Sequence, residues 1–240
     1  MTRGNVQDLT IYSSELEEEL QLLVYLPPQY TPIYEYEYCI AQDGKDYFQM
    51  GRIPRTLDEL IENGEIKPVL FFGVPYKNVR DRRSKYHPEG EKQQKYIRFL
   101  VHELVPFIEK EFPVGKDSSF RALAGDSLAA TVSFMASLSH PSSFDKLILH
   151  SPYVDENVKG LVRNFKNWGK MHIYHVVGKE ETNVDMTDGT TADFLTANRG
   201  LYQLLKDKNM NYFYDEFDGD HTWTYWQNDL KRALARIFEL

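Results

Sequence analysis

The stretch from Ser119 to His140 restricts the fold more than any other part of the chain. Phe120-Arg121-Ala122-Leu123-Ala124 reads as a short buried strand, and Leu128 to Leu138 carries small and apolar residues at helical spacing. Between them lies Gly125-Asp126-Ser127-Leu128-Ala129, a tight strand-to-helix corner with a serine at its apex. Such a corner is the setting in which a G-x-S-x-G-like motif presents a nucleophilic hydroxyl. The last small position is Ala129 rather than glycine.

Elsewhere the chain reads as alternating strands and helices. Val6 to Tyr12 and Leu20 to Leu26 flank the charged turn SSELEEE in the pattern of an antiparallel hairpin. Pro27 and Pro28 end the second strand, because proline cannot donate to a ladder. A third strand is expected over Tyr36 to Ala41, then a polar turn over Gln42 to Asp46. Thr56 to Asn63 suggests a short helix, with Thr56 as N-cap, Glu59 in the capping-box position and Gly64 closing it. Val69 to Phe72 is wholly apolar, as in strands buried on both faces of a parallel sheet. A long polar loop is expected from Val74 to Gly90.

Glu91 to Phe112 places Tyr96, Phe99, Leu100, Leu104, Phe107 and Ile108 on one helical face, and Pro106 should kink or interrupt that helix. After the serine corner come strand Lys146 to Leu149, helix Glu156 to Phe165, strand His172 to Val177, helix Thr191 to Lys208, strand Tyr212 to Phe217 and helix Thr224 to Phe238. This alternation predicts a mostly parallel sheet with helices on both faces and an antiparallel N-terminal edge. One α/β domain over residues 1–240 is the economical architecture.

Composition narrows the function. With 42% apolar residues the chain can bury a substantial core, and a net charge of −8 argues against a broad nucleic-acid footprint. The one cysteine, Cys39, lies in an apolar run, so a buried structural thiol in a reducing compartment is expected. No apolar run approaches the ~18 residues of a membrane span. The first ten residues lack the apolar centre of a signal peptide, which points to the cytoplasm. No glycine pattern for phosphate and no cysteine–histidine metal spacing occurs. The expected partner is a small molecule, with no cofactor, metal, nucleic acid or membrane; a homo-oligomer is left open.

Sites in such sheets form on the loops at the carboxyl ends of the strands. The loop after His172–Val177 offers Glu180, Glu181 and Asp185, and spacing does not choose among these acids. The loop after the last strand offers His221. The order serine, acid, histidine is that of α/β-hydrolases. The three types are needed together because a serine hydroxyl is a poor nucleophile until an imidazole takes its proton, and a carboxylate fixes that imidazole. The Leu128 N–H is the first candidate oxyanion donor, and the Gly44-Lys45 turn the best placed source of a second. His150 ends a strand and reads as a wall residue. Trp223, Tyr225 and Trp226 read either as a substrate wall or as packing for the last helix.

The chain resembles an esterase family of α/β-hydrolases that includes esterase D-like, feruloyl-esterase-like and enterochelin-esterase-like enzymes. Leu23-Val24-Tyr25-Leu26-Pro27-Pro28-Gln29-Tyr30 is similar to the family's early strand. Ala41 to Phe48 is similar to its D-G-x-x-x-F loop, and His102-Glu103-Leu104-Val105-Pro106 to the helix before the elbow. Gly219-Asp220-His221-Thr222-Trp223 resembles its terminal segment. The resemblance implies an ester hydrolase forming an acyl-enzyme, with Ser127 as nucleophile, His221 as base, Glu181 as acid, and an oxyanion hole from Leu128 and the Gly44-Lys45 turn.

It also implies that one arginine of Arg80, Arg82 and Arg83 meets an acidic or phenolic part of the substrate. The competing reading is a solvated charged loop. Asp126 would add negative charge beside the oxyanion, so its side chain is expected to point away. An acyltransferase on the same residues and a catalytically silent binding protein are the alternatives. No inserted helical lid is evident, which suggests an open site.

Overall fold

The computed structural model describes residues 3–239. The expected hairpin forms first: β1 (Asn5–Ser13) pairs antiparallel with β2 (Glu18–Leu26), from Asn5 opposite Leu26 to Ser13 opposite Glu18. Next come β3 (Glu37–Gln42), α1 (Gly44–Gln49), α2 (Ile53–Glu62), β4 (Val69–Val74) and α3 (Val79–Tyr86). A long helical stretch follows as α4 (Gln93–Arg98), a π-helical turn over Phe99–Leu104, and α5 (Val105–Glu111). The serine corner joins β5 (Arg121–Asp126) to α6 (Leu128–Ser139). Then come β6 (Lys146–His150), α7 (Glu156–Asn164) and β7 (His172–Gly178). A small hairpin, β8 (Val184–Asp185) with β9 (Thr191–Ala192), precedes α8 (Phe194–Leu205), β10 (Asn211–Phe217) and α9 (Trp223–Ile237).

The main sheet runs β1-β2-β4-β3-β5-β6-β7-β10. The two pairings made by β2 are antiparallel, and those from β4 through to β10 are parallel. Every residue of β4 and of β5 is buried, as strands covered on both faces require. One face packs Tyr96, Phe99 and Leu100 with Val132 and Phe134 of α6, and the other packs Leu57 and Leu60 of α2 with Leu230 and Leu234 of α9. Cys39 lies within the second layer as a buried free thiol.

Several local expectations are corrected. The Gln42–Asp46 turn is the start of a helix: Asp43 takes a left-handed conformation (φ 57°) and α1 begins at Gly44. Thr56 is not an N-cap, because α2 begins three residues earlier with Arg52 before it and a proline in its first turn. Proline suits that position, where its missing N–H is no loss. Glu59 instead pairs along the helix with Arg55. Gly64, at φ 66°, does close α2.

The Val74–Gly90 segment contains α3, whose Asn78 side chain caps the Asp81 N–H. The expected interruption at Pro106 takes the form of the π turn, which widens the helix ahead of a ring that would strike the preceding carbonyl. Helix α8 starts at Phe194 rather than Thr191, with Asp193 accepting from the Thr196 N–H.

Candidate active site

Ser127 stands between β5 and α6 at φ 52°, ψ −125°, a conformation that L-residues with side chains rarely adopt. The strain is held by its surroundings. The Ser127 N–H donates to the His150 carbonyl at 2.9 Å. A Cβ on Gly125 would lie 2.2 Å from the Ala129 backbone. The close helix–strand approach thus needs glycine on the strand side, and Ala129, fully buried, is small enough on the helix side. The corner opens onto a cleft of about 170 Å³ whose wall includes Arg82, Asp126, Ser127, Leu128, His221 and Trp226. A larger cavity of about 600 Å³ runs along β2 and α1, but among these candidate residues it touches only Lys45.

His221, from the loop between β10 and α9, reaches the same cleft as Ser127. Its Nδ1 lies 2.7 Å from Glu181 Oε2. A carboxylate accepts, so Nδ1 carries the proton and Nε2 is left as the basic nitrogen. Glu181 is fully buried, whereas Glu180 and Asp185 are exposed. The other Glu181 oxygen accepts from the Gly178 N–H at 2.7 Å and from the Ser151 hydroxyl at 2.6 Å. Gly178 has no room for a side chain: a Cβ would meet the Gly219 carbonyl at 2.3 Å and Glu181 Oε1 at 2.8 Å. Phe194 and Trp226 hold the imidazole, with ring centroids 4.3 and 4.9 Å away.

The remaining candidates separate. Arg82 reaches the cleft, but its guanidinium is engaged: Nε donates to both oxygens of buried Asp43 at 2.9 and 2.8 Å. Arg80 lies away from the cleft, beside Arg83, Ser84 and His87. His150 is not a wall residue; its side chain is buried and bonds Asp229 at 3.0 Å. Burial alone would raise the Asp229 carboxyl, yet hydrogen bonds from His150 and Tyr174 and the Arg232 charge hold it below its ordinary value. Trp223 packs edge-on against Tyr47 and Tyr225 stacks on Phe217, so Trp226 is the aromatic wall of the cleft. Leu128 opens α6, leaving its N–H without a helical partner. Gly44 and Lys45 form the first turn of α1, at the end of the strand that pairs with β5.

Three features escaped the sequence reading. Ser151, itself at φ 47°, links Glu181 to the Trp226 indole N–H; its position just after β6 was the available signal. Asp43 engages Arg82. The β8–β9 hairpin covers one side of the cleft with Val184 and Met186, and its tip meets Arg83 through Asp188 at 3.0 Å. The site is therefore partly covered, by a hairpin rather than a helical lid. Asp126 is among the residues that line the cleft, and its Oδ1 is buried.

A family model described as "Putative esterase" matches residues 13–237. The chain belongs to this esterase family. It is a carboxylic-ester hydrolase with the α/β-hydrolase fold. Among similar proteins is the uncharacterized protein YjcH of Bacillus subtilis (strain 168), 48% identical over 98% of both chains. An acetyl esterase of Caldicellulosiruptor saccharolyticus is 20% identical, covering 98% of this chain and 97% of its own. The solved structure of a ferulic acid esterase superposes with a TM-score of 0.85 at 19% identity, covering 99% of this chain and 98% of its own, a likeness of fold. Among the described residues of this esterase, no helix is long and apolar enough to cross a membrane.

Proposed function

We propose that the chain cleaves a carboxylic ester of a small substrate through an acyl-enzyme, with Ser127 as nucleophile, His221 as base and Glu181 as acid. The observation that carries this reading is buried Glu181 held at 2.7 Å from His221, whose imidazole opens on the same cleft as a serine in a strained elbow. The Ser127 Oγ attacks the ester carbon while His221 Nε2 takes its proton, and Glu181 stabilises the imidazolium. The imidazolium then protonates the departing alcohol, and a water repeats the sequence to release the acid. The Leu128 N–H and an N–H from the Gly44-Lys45 turn receive the oxyanion. Support for the second donor is that β3 and β5 run side by side and end together.

A cleft of about 170 Å³ suits a short acyl group, since drug-sized ligands occupy roughly 300–1,000 Å³. An acetyl-sized group, as in the name of one relative, fits this space better than a feruloyl group or a cyclic catechol lactone. Two measurements test the reading. An organophosphonate should add one adduct to the wild type and none to Ser127→Ala, read by intact mass. Turnover of p-nitrophenyl acetate should fall at least about 10³-fold in Ser127→Ala. Unchanged turnover in that variant would overturn the assignment.

A further inference from the structure

In the acyl-enzyme chemistry above, the alcohol departs after the first half-reaction while the acyl group stays on Ser127 through both. Whatever bounds the cleft around Ser127 therefore bounds the acyl group. Most of its walls belong to the body of the fold: Leu128 starts α6, Trp226 lies in α9, and Arg82 is tied to buried Asp43. The other wall is the β8–β9 hairpin, which contributes Val184, Asp185, Met186 and Thr187. Its strands have two residues each and stand outside the main sheet. A hairpin of that kind is marginal in water by itself.

Two anchors hold it. Val184 and Met186 are half-buried while Asp185 and Thr187 are exposed, the alternation of a strand with one inward face. Both inward residues pack against the cluster of Val177, Phe194 and Leu195, and the Phe194 ring lies 4.3 Å from that of His221. The second anchor is at the tip. The Met186 N–H donates to the Thr190 carbonyl at 2.7 Å, and Gly189 supplies the left-handed φ of 83° inside that turn. The turn aims the Asp188 carboxylate. Its Oδ1 accepts from the Thr190 N–H at 3.1 Å and from the Thr190 hydroxyl at 2.6 Å, which leaves Oδ2 to Arg83 Nη2 at 3.0 Å. The hairpin thus springs from the end of β7 and fastens to α3, which follows β4 and packs against α6. Between β4 and β7 in the sheet lies β5, the strand that ends at Ser127.

We propose that this hairpin is a strap that sets the acyl length the enzyme accepts, with Met186 as the limiting side chain and the Arg83–Asp188 pair as its fastening. The inference rests on the serine-hydrolase reading above and names the specificity of that same site. The partners of the pair are 34% and 35% exposed, so the fastening is weak and yields rather than locks. An acetyl group fits beneath the strap. A longer chain must displace Met186 or lift the hairpin, and that cost falls on long chains only.

The experiment measures kcat/KM for p-nitrophenyl acetate, butyrate and hexanoate in wild type, Met186→Ala, Met186→Phe, Asp188→Asn and Arg83→Gln. A second series keeps the acetyl group and lengthens the alcohol. The readout is the hexanoate-to-acetate ratio, which a general loss of folded enzyme leaves unchanged. Met186→Ala should raise that ratio at least about tenfold, since a single methylene in an apolar pocket is worth about that much. Met186→Phe should lower it. Asp188→Asn and Arg83→Gln should each raise it about two- to fivefold. High ionic strength should raise it in wild type but not in those two variants, because an exposed pair is screened and these esters carry no charge.

An unchanged ratio in Met186→Ala overturns the inference, as does a ratio unchanged in both Asp188→Asn and Arg83→Gln. A shift seen only in the alcohol series also overturns it, by placing the hairpin against the leaving group. If Met186→Ala does not fold, a Met186→Phe ratio at or above the wild-type value overturns it alone. Failure of the underlying reading looks different: the wild type would take no phosphonate and Ser127→Ala would keep its turnover.

Discussion

Three hydrogen-bonded groups converge on the Glu181 carboxylate: the His221 imidazole, the Gly178 N–H and the Ser151 hydroxyl. Buried charge is tolerated only when its lone pairs are satisfied, so each of these groups holds the others in place. Ser151→Ala removes one donor from Glu181 and the acceptor of the Trp226 N–H. We expect a cost of about 1–1.5 kcal/mol in transition-state stabilisation, read as roughly tenfold lower kcat/KM on p-nitrophenyl acetate. An unchanged value would mean that Glu181 is fixed by Gly178 and the fold alone. The choice among Glu180, Glu181 and Asp185 was open to residue spacing, because adjacent side chains in a loop diverge by amounts only the tertiary contacts set. The inward turn of Glu181 and the outward turn of Glu180 are decided by Gly178, whose missing side chain leaves room for the carboxylate.

Among the elements, α3 was the least visible in the sequence. It has no apolar stripe; its support is the Asn78 cap and buried Lys85, which pairs with Glu18 of β2 and with Asp81. Periodicity does not register a helix held by charge and capping. The long helix before the elbow was legible from its apolar face, but not the role of its π turn. That turn carries Glu103, whose carboxylate accepts from the Ser13 hydroxyl and from the N–H groups of Ser14 and Glu15 at the tip of the β1–β2 hairpin. Glu103→Ala should cost about 1–2 kcal/mol. In a chain of this size that is a melting-temperature drop of roughly 2–8 °C, with ester turnover at 25 °C preserved. A thermal melt beside a turnover assay checks it, and loss of turnover without loss of stability would contradict it.

Over the whole molecule, buried histidines link stability to pH. His175 is fully buried, with Asn198 Oδ1 at 2.7 Å from Nε2, and burial pushes it down to about 4 despite that hydrogen bond. The unfolded chain protonates this histidine at an ordinary 6.5, the folded one only near 4. Its contribution is therefore complete above about pH 6.5 and is lost as pH falls toward 4, by about 3 kcal/mol. His87, His140 and His172 are lowered by burial too, and act in the same direction. Melting temperatures from pH 7.5 to 4.5 should fall for the wild type by roughly 6–12 °C through His175. The gap between wild type and His175→Gln should narrow with acid; a constant gap would refute the assignment.

The sequence by itself determined the α/β alternation, the serine corner and the order of serine, acid and histidine, because these depend on local periodicity and on glycine at a corner that tolerates nothing larger. The tertiary structure decided what spacing does not encode. It decided that His150 and Trp223 turn into packing while Trp226 walls the cleft, and that Arg82 is engaged by Asp43. It also placed Asp126 among other acids at the edge of the site. The physical reason is one of range. A strand or a turn is written by neighbours in the chain, but burial, pairing and protonation are set by groups from distant segments that the fold brings within a few ångströms.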